Sequence, residues 1–233
     1  MNRVGVNMRK KVKQKQYIVI GMGRFGTSVA LTLAELGREV LAIDKDVDRI
    51  QDISDKVTHA VTLDSTDEND LKAVGIGNFD VAIVAIGKDI QASIMTTLLL
   101  KELGVKYIAV KANNDLQEKV LIKIGADKVI SPEKEMGIRV ANNLVSSNIL
   151  DYIEVSPDYS LTEFLVPKSW INKTIKELNL RVEYGINVMA IKRDGKIEVS
   201  PSPDFALLPE DIIVAIGSND IEELRDFVAT EEE

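Results

Sequence analysis

Six short β-branched runs, all but the third followed by a segment of helical character, fill the chain from Tyr17 to about Ile153. The runs are "YIVI", "EVLAID", "HAVTLD", "DVAIVAIG", "YIAVKA" and "KVISP". Between them, "TSVALTLAEL", "DRIQDISDKV", "QASIMTTLLLKELG" and "DLQEKVLIKIG" carry helical stripes or strongly apolar helices, and "STDENDL" reads as a loop. Strands that alternate with helices of this length specify a parallel sheet covered on both faces, the α/β doubly wound (Rossmann-like) arrangement. "EKEMGIRVANNLVSSNILDYI", residues 133–153, reads as one longer helix that leads away from the sheet.

Beyond Ile153 the pattern changes to strand, helix, three short strands and a closing helix at "DIEELRDFV". Asp194-Gly195 between alternating runs predicts a hairpin, and Pro201, Pro203 and Pro209 punctuate the path to the last strand. The expected organisation is a basic leader at 1–16, a nucleotide-binding lobe with a crossover helix at 17–152, and a smaller α+β lobe at 153–233.

The first strand runs into Gly21-x-Gly23-x-x-Gly26, and Asp44 closes the second strand 18 positions after the last glycine. That distance is close to the ~20 expected of an acid that binds a ribose. Gly21 permits the sharp turn, Gly23 lets a phosphate approach the backbone, and Gly26 lets helix and strand pack closely. The helix start then offers N–H groups and a partial positive charge to phosphates. Asp44 accepts ribose hydroxyls and repels a 2′-phosphate, so a bound dinucleotide should lack one.

Arg24 lies inside the turn and is read as a terminal-phosphate ligand, or else as a surface arginine paired with a neighbouring acid. Phe25 in the same turn and Lys45 beside Asp44 are counted with the nucleotide site. Asp64 and Ser65 follow the third strand where such folds meet adenine, although a capping role in "DSTDE" fits equally. Ala85, Ile86, Gly87 and Lys111 end the fourth and fifth strands, whose carboxyl ends line the ligand crevice.

Composition excludes several alternatives. The net charge of −8 argues against nucleic acid as a partner. The absence of cysteine excludes disulfides, thiol nucleophiles and thiolate metal sites. No apolar run approaches the ~20 residues of a membrane span. The leader's Arg9, Lys10, Lys11, Lys13 and Lys15 form a solvated segment or a contact with an anionic membrane surface, and no apolar core follows them as a secretory signal requires. Cytoplasm is the expected compartment. His59, the one histidine, stands before a strand far from where a nicotinamide would lie. No other group is arranged for proton transfer, so the site is expected to bind rather than react.

In order along the chain, "VIGMGRFGTSVA", "EVLAIDKD", "DVAIVAIG", "QASIMTTLLLKELG", "VKANN", "IGADKVISPE" and "YGINVMAIKR" resemble the cytosolic RCK (KTN) regulatory subunits of bacterial Ktr/Trk-type potassium uptake systems. Within that family the set is most similar to the Ktr regulatory subunit of Gram-positive bacteria. The resemblance implies homodimers that assemble into a homo-octameric ring beneath a membrane-embedded potassium-conducting subunit, peripheral to the inner face of the membrane. It implies ATP/ADP exchange as the switch, with NAD(H) bound by some members. Gly21, Gly23, Arg24, Gly26 and Asp44 match its nucleotide positions, with Arg24 on the γ-phosphate. Glu133 matches a carboxylate that holds a divalent cation such as Mg2+ or Ca2+; from the residues alone it reads as a helix-start acid. Ile175, Arg181, Asn187, Val188 and Pro203 match positions that bind cyclic di-AMP, an inhibitory input. An NAD-dependent oxidoreductase and a stand-alone cyclic-dinucleotide receptor are the rival readings.

Overall fold

Strands buried on both faces of a sheet must be apolar throughout, and successive side chains must leave on opposite faces. A computed structural model of the chain, which describes residues 15–145, 149–156 and 158–218, meets both conditions in the middle of its first sheet, at Ile18–Ile20, Val40–Ile43, Ala82–Val84 and Ile108–Val110. The strands are β1 (Gln16–Ile20), β2 (Glu39–Asp44), β3 (His59–Thr62), β4 (Val81–Val84), β5 (Tyr107–Lys111) and β6 (Lys128–Ile130). All pairings are parallel, in the order β3-β2-β1-β4-β5-β6. The strand order reverses between β1 and β4, and ligands of doubly wound sheets bind at such a switch point.

Ile18 and Ile20 join Leu41, Ile43, Val84 and Ile108 in one core, while Val19 joins Val40, Ala42 and Ile83 in the other. Helices α1 (Arg24–Glu35) and α2 (Val47–Ile53) seal the second core through Ala30, Ile50 and Ile53. Helices α3 (Glu68–Ala73), α4 (Ile90–Glu102) and α5 (Asp115–Lys123) seal the first through Leu71, Leu99, Leu100 and Leu121.

Several boundaries differ from expectation for local reasons. The first helix starts at Arg24, so Arg24, Phe25 and Gly26 are its first turn. The supposed loop "STDENDL" contains α3, because the Asp67 side chain accepts the N–H groups of Asn69 and Asp70 and starts a helix there. The second helix stops at Ile53. The long helix expected over 133–153 ends earlier: α6 spans Pro132–Val145, and β7 occupies Ile149–Ser156. Ile149, Tyr152 and Ile153 face Phe164, Thr162 and Leu161 of β8 (Tyr159–Leu165), and this pairing overrides the helical pattern.

The chain divides into two units, Met1–Glu133 and Lys134–Glu233, so β7, which crosses the boundary expected near Tyr152, falls with the second. There β9 (Asn187–Arg193), β10 (Lys196–Val199) and β11 (Ile212–Ser218) complete an antiparallel sheet in the order β10-β9-β11-β8-β7. Asp194 and Gly195 form the β9–β10 turn with φ of 50° and 73°. The single helix expected at "TIKELNLRVEYG" is two, α7 (Ile175–Leu178) and α8 (Leu180–Glu183), because Asn179 takes a left-handed φ of 45° between them. Trp170 anchors the core edge-on to Phe164, with ring centroids 6.1 Å apart, and against Tyr184 at 5.1 Å. The closing helix and residues 1–14 of the leader lie outside the described residues.

Candidate functional site

The turn after β1 is built so that only one of its three glycines is open. Gly21 has a φ of +97°, and a Cβ there would stand 3.0 Å from the Ala85 backbone. A Cβ on Gly26 would stand 1.9 Å from the Gly21 carbonyl oxygen, so helix and turn meet in backbone contact. Gly23 has nothing within 4 Å of its Cβ position. It is the N-cap of α1, and no side chain caps that helix. The contrast with the neighbouring helices is informative: Asp46, Asp67, Asp89 and Asn114 each cap α2, α3, α4 and α5 with their own side chains. The N–H groups opening α1 thus face the switch point with no capping side chain and no acid in the first turn. Arg24 stands exposed at their rim, and Phe25 is half-buried behind it.

Asp44, the last residue of β2, is 7% exposed. Its Oδ2 accepts the Met22 N–H at 2.5 Å and its Oδ1 accepts the Asp46 N–H at 3.0 Å. The Arg49 guanidinium approaches Oδ2 at 3.4 Å and reaches Asp46 as well. A carboxylate offers about four lone-pair sites, so acceptor capacity remains for hydroxyls. Lys45 is exposed beside it and its charge acts on Asp64. The Asp64 carboxylate accepts the Thr66 N–H at 2.9 Å and hydroxyl at 2.7 Å, and these two bonds hold it below the usual carboxylate range. Helix capping in this turn belongs to Asp67, not Asp64. Ser65 is buried, its hydroxyl 2.8 Å from that of Thr96 on α4.

Ala85, whose N–H donates to Ile20 at 2.7 Å, backs the glycine turn. Ile86 and Gly87 follow it, and the Gly87 carbonyl accepts the Asn113 amide. Lys111 closes β5 and holds Glu133 at 2.5 Å. The turn, Asp44, Asp64, Ala85 and Lys111 thus line up along the carboxyl ends of five adjacent strands. Sequence reading did not single out Met22, Arg49 or Asn113; only the Asx-rich turns after β2 and β5 hint at them. His59 opens β3 at the opposite, amino end of the sheet.

The residues present fit a nucleotide: an open glycine, an uncapped helix start and an anchored acid. They do not fit a divalent cation within one chain. Among the described residues no three His, Asp or Glu side chains converge, and Glu133 meets a lysine instead. In the second unit Lys176 donates its N–H to Pro203 at 2.8 Å, which sets Pro203 beside Ile175 at the start of α7. Ile186 donates to Leu180 at 3.3 Å, which folds Arg181 of α8 back toward Asn187 and Val188 at the start of β9. Arg181, Asn187 and Pro203 are exposed. Among the described residues no helix is long and apolar enough to cross a membrane.

Fold and site define a doubly wound, dinucleotide-type domain joined to a small antiparallel one. Residues 17–132 match the TrkA-N domain and residues 161–229 the TrkA-C domain. The chain is 50% identical over 205 residues to Ktr system potassium uptake protein C of Bacillus subtilis (strain 168), covering 88% of this chain and 93% of that protein. It is 46% identical over 207 residues to Ktr system potassium uptake protein A of the same organism, covering 89% and 93%. Among solved structures, the GsuK RCK domain superposes with a TM-score of 0.65 at 14% identity, over 94% of this chain and 48% of that one. The GsuK channel bound to NAD does so with 0.65 at 15%, over 96% and 41%. At those identities the likeness speaks for the fold alone. The chain belongs to the TrkA-type (RCK) family of Ktr potassium uptake proteins. Both of these relatives are named for potassium uptake and neither for a redox reaction, which speaks against the oxidoreductase reading.

Proposed function

We propose that this chain is the nucleotide-sensing regulatory subunit of a Ktr-type potassium uptake system, cytoplasmic and held at the inner face of the membrane by its potassium-conducting partner. ATP and ADP are its ligands in the first lobe, with NAD(H) as a competitor for the same turn, and their exchange changes the shape of a homo-octameric ring of homodimers. The observation that carries this reading is the helix start at Gly23 and Arg24, uncapped where its neighbours are all capped. Phosphates supply the missing acceptors there, and Arg24 adds a permanently charged fork for the terminal one.

A switch needs a ligand that prefers one shape, and a tenfold preference supplies about 1.4 kcal/mol per site. A symmetric ring multiplies that preference. Cyclic di-AMP between two copies of the second lobe, at Ile175, Arg181, Asn187, Val188 and Pro203, is the inhibitory input in this reading; it rests on the family resemblance. A Mg2+ or Ca2+ ion at Glu133 belongs to it only with ligands from outside this chain.

Calorimetry of ATP, ADP and NADH on the wild type and Arg24→Ala tests the sensor. A loss for ATP much larger than for ADP or NADH is expected. Tight NADH binding with negligible ATP binding would overturn the reading.

A further inference from the structure

Two buried threonines that follow one another on α4 direct their hydroxyls differently. Thr97 Oγ1 donates to the Ser93 carbonyl at 2.7 Å, four residues back along its own helix, as a helical threonine commonly does. Thr96 Oγ1 leaves the helix and meets Ser65, 31 positions away, in the turn after β3. It lies 2.8 Å from the Ser65 hydroxyl and 3.2 Å from the Ser65 carbonyl oxygen. Thr96 is fully buried and Ser65 nearly so, which leaves little room for water to replace either contact. Each hydroxyl has one proton, and a carbonyl oxygen can only accept. A single arrangement makes both contacts hydrogen bonds: Thr96 donates to the Ser65 carbonyl, and Ser65 donates to the Thr96 hydroxyl oxygen. Burial favours that arrangement, because any other leaves one polar contact unmade where water cannot supply it.

The Ser65 proton is thereby committed to Thr96, and what the Ser65 oxygen keeps for any further neighbour is lone pairs. Ser65 stands beyond the carboxyl end of β3, on the side of the crevice where the nucleotide reading places the base. Adenine carries an amino group, a donor, at its position 6, whereas guanine and hypoxanthine carry an oxygen there, an acceptor. We propose that Thr96 is a positioning residue that fixes the Ser65 hydroxyl as an acceptor, and that Ser65 held this way selects a 6-aminopurine over a 6-oxopurine. Facing an amino group, the fixed oxygen completes a hydrogen bond. Facing a 6-oxo group it completes none, and two acceptors are left opposed. This rests on the nucleotide reading above and adds to it the pair of residues that chooses the base.

The test is calorimetry on the full chain with ATP and with inosine triphosphate, in which oxygen replaces the 6-amino group. The proteins are wild type, Thr96→Val, Thr96→Ser and Ser65→Ala, each checked by thermal melting, and the readout is the ratio of the two affinities. Wild type should bind inosine triphosphate about tenfold or more weakly than ATP. Thr96→Val should bring the ratio toward one, because a Ser65 hydroxyl released from Thr96 can turn and donate to the 6-oxygen. Ser65→Ala should also bring it toward one, by weakening ATP alone, and Thr96→Ser, which keeps the hydroxyl, should hold the wild-type ratio. A merely structural role moves both ligands together and leaves the ratio in place. That outcome in Thr96→Val and Ser65→Ala, or a wild type that binds both ligands equally, overturns the inference and leaves the nucleotide site standing. A wild type that binds neither ligand overturns the nucleotide reading, and this inference with it.

Discussion

The carboxylate of Asp44 accepts the backbone N–H of Met22 at 2.5 Å, so the end of β2 and the glycine turn after β1 are held as one piece. The acid that the proposed reading assigns to ribose is thereby also a brace for the backbone of the glycine turn. Asp44→Asn keeps a carbonyl oxygen for Met22 and loses the charge. Its melting temperature should move by only a few degrees, while ATP, ADP and NADH affinities all fall by about tenfold or more, the worth of a hydrogen bond to a charged group. Calorimetry with the three ligands checks it, and unchanged affinities would remove Asp44 from the site.

Gly26 and Gly23 separate structure from function. A Cβ at 26 overlaps the Gly21 carbonyl oxygen at 1.9 Å, whereas Gly23 has a φ of −75° and open space. Gly26→Ala should lower the stability of the first unit by several kcal/mol, in the range of overpacked or strained core substitutions. Gly23→Ala should melt like the wild type yet bind ATP more weakly, since its methyl group stands where phosphate would approach. Circular dichroism melts beside ATP titrations distinguish the two.

Arg193 and Asp211 give the second unit an acid-sensitive pair. Asp211 is 1% exposed, and burial by itself would raise its carboxyl. The Arg193 guanidinium, at 2.7 and 2.6 Å, and the Leu208 N–H outweigh burial and hold it below the usual range. A depressed carboxylate stabilises the fold fully above its unfolded-state value of about 3.9, and the contribution is lost as pH falls through the folded value. Arg193→Met strands a buried charge and should cost roughly 3–5 kcal/mol at neutral pH. The gap to wild type should narrow as pH falls, because protonation relieves the variant and weakens the pair. Urea unfolding followed by the fluorescence of Trp170, the single tryptophan, reads this in the second unit.

Asn179 breaks what the hydrophobic pattern presents as one helix. Its φ of 45° suits Asn or Gly and disfavours residues with a bulkier Cβ environment. Asn179→Gly should be near neutral and Asn179→Val should cost at least about 1–2 kcal/mol by the same fluorescence assay. Equal stability of the two variants would mean that the break is not maintained by this residue.

The strands of the parallel sheet and the turn at Gly21, Gly23 and Gly26 were legible because each rests on a local rule: period, β-branching, or a glycine that must turn. The hairpin at Asp194-Gly195 was legible for the same reason. The strand at Ile149–Ser156 was not, because its preceding helix pattern continues smoothly and only the pairing with β8 ends it. The helix after Asp67 was missed because six residues show too little periodicity, although the capping aspartate was visible.

By itself the sequence determined which runs form the strands of the parallel sheet, where a glycine turn follows β1, and that an acid closes β2. Those are consequences of backbone freedom and residue period within a few positions. Only the tertiary structure decided the partners of the side chains: Ser65 on Thr96, Asp44 on Met22, Lys111 on Glu133. These partners lie 31, 22 and 22 positions apart, and no local pattern encodes a contact that exists because the order of strands in a sheet brings their ends together.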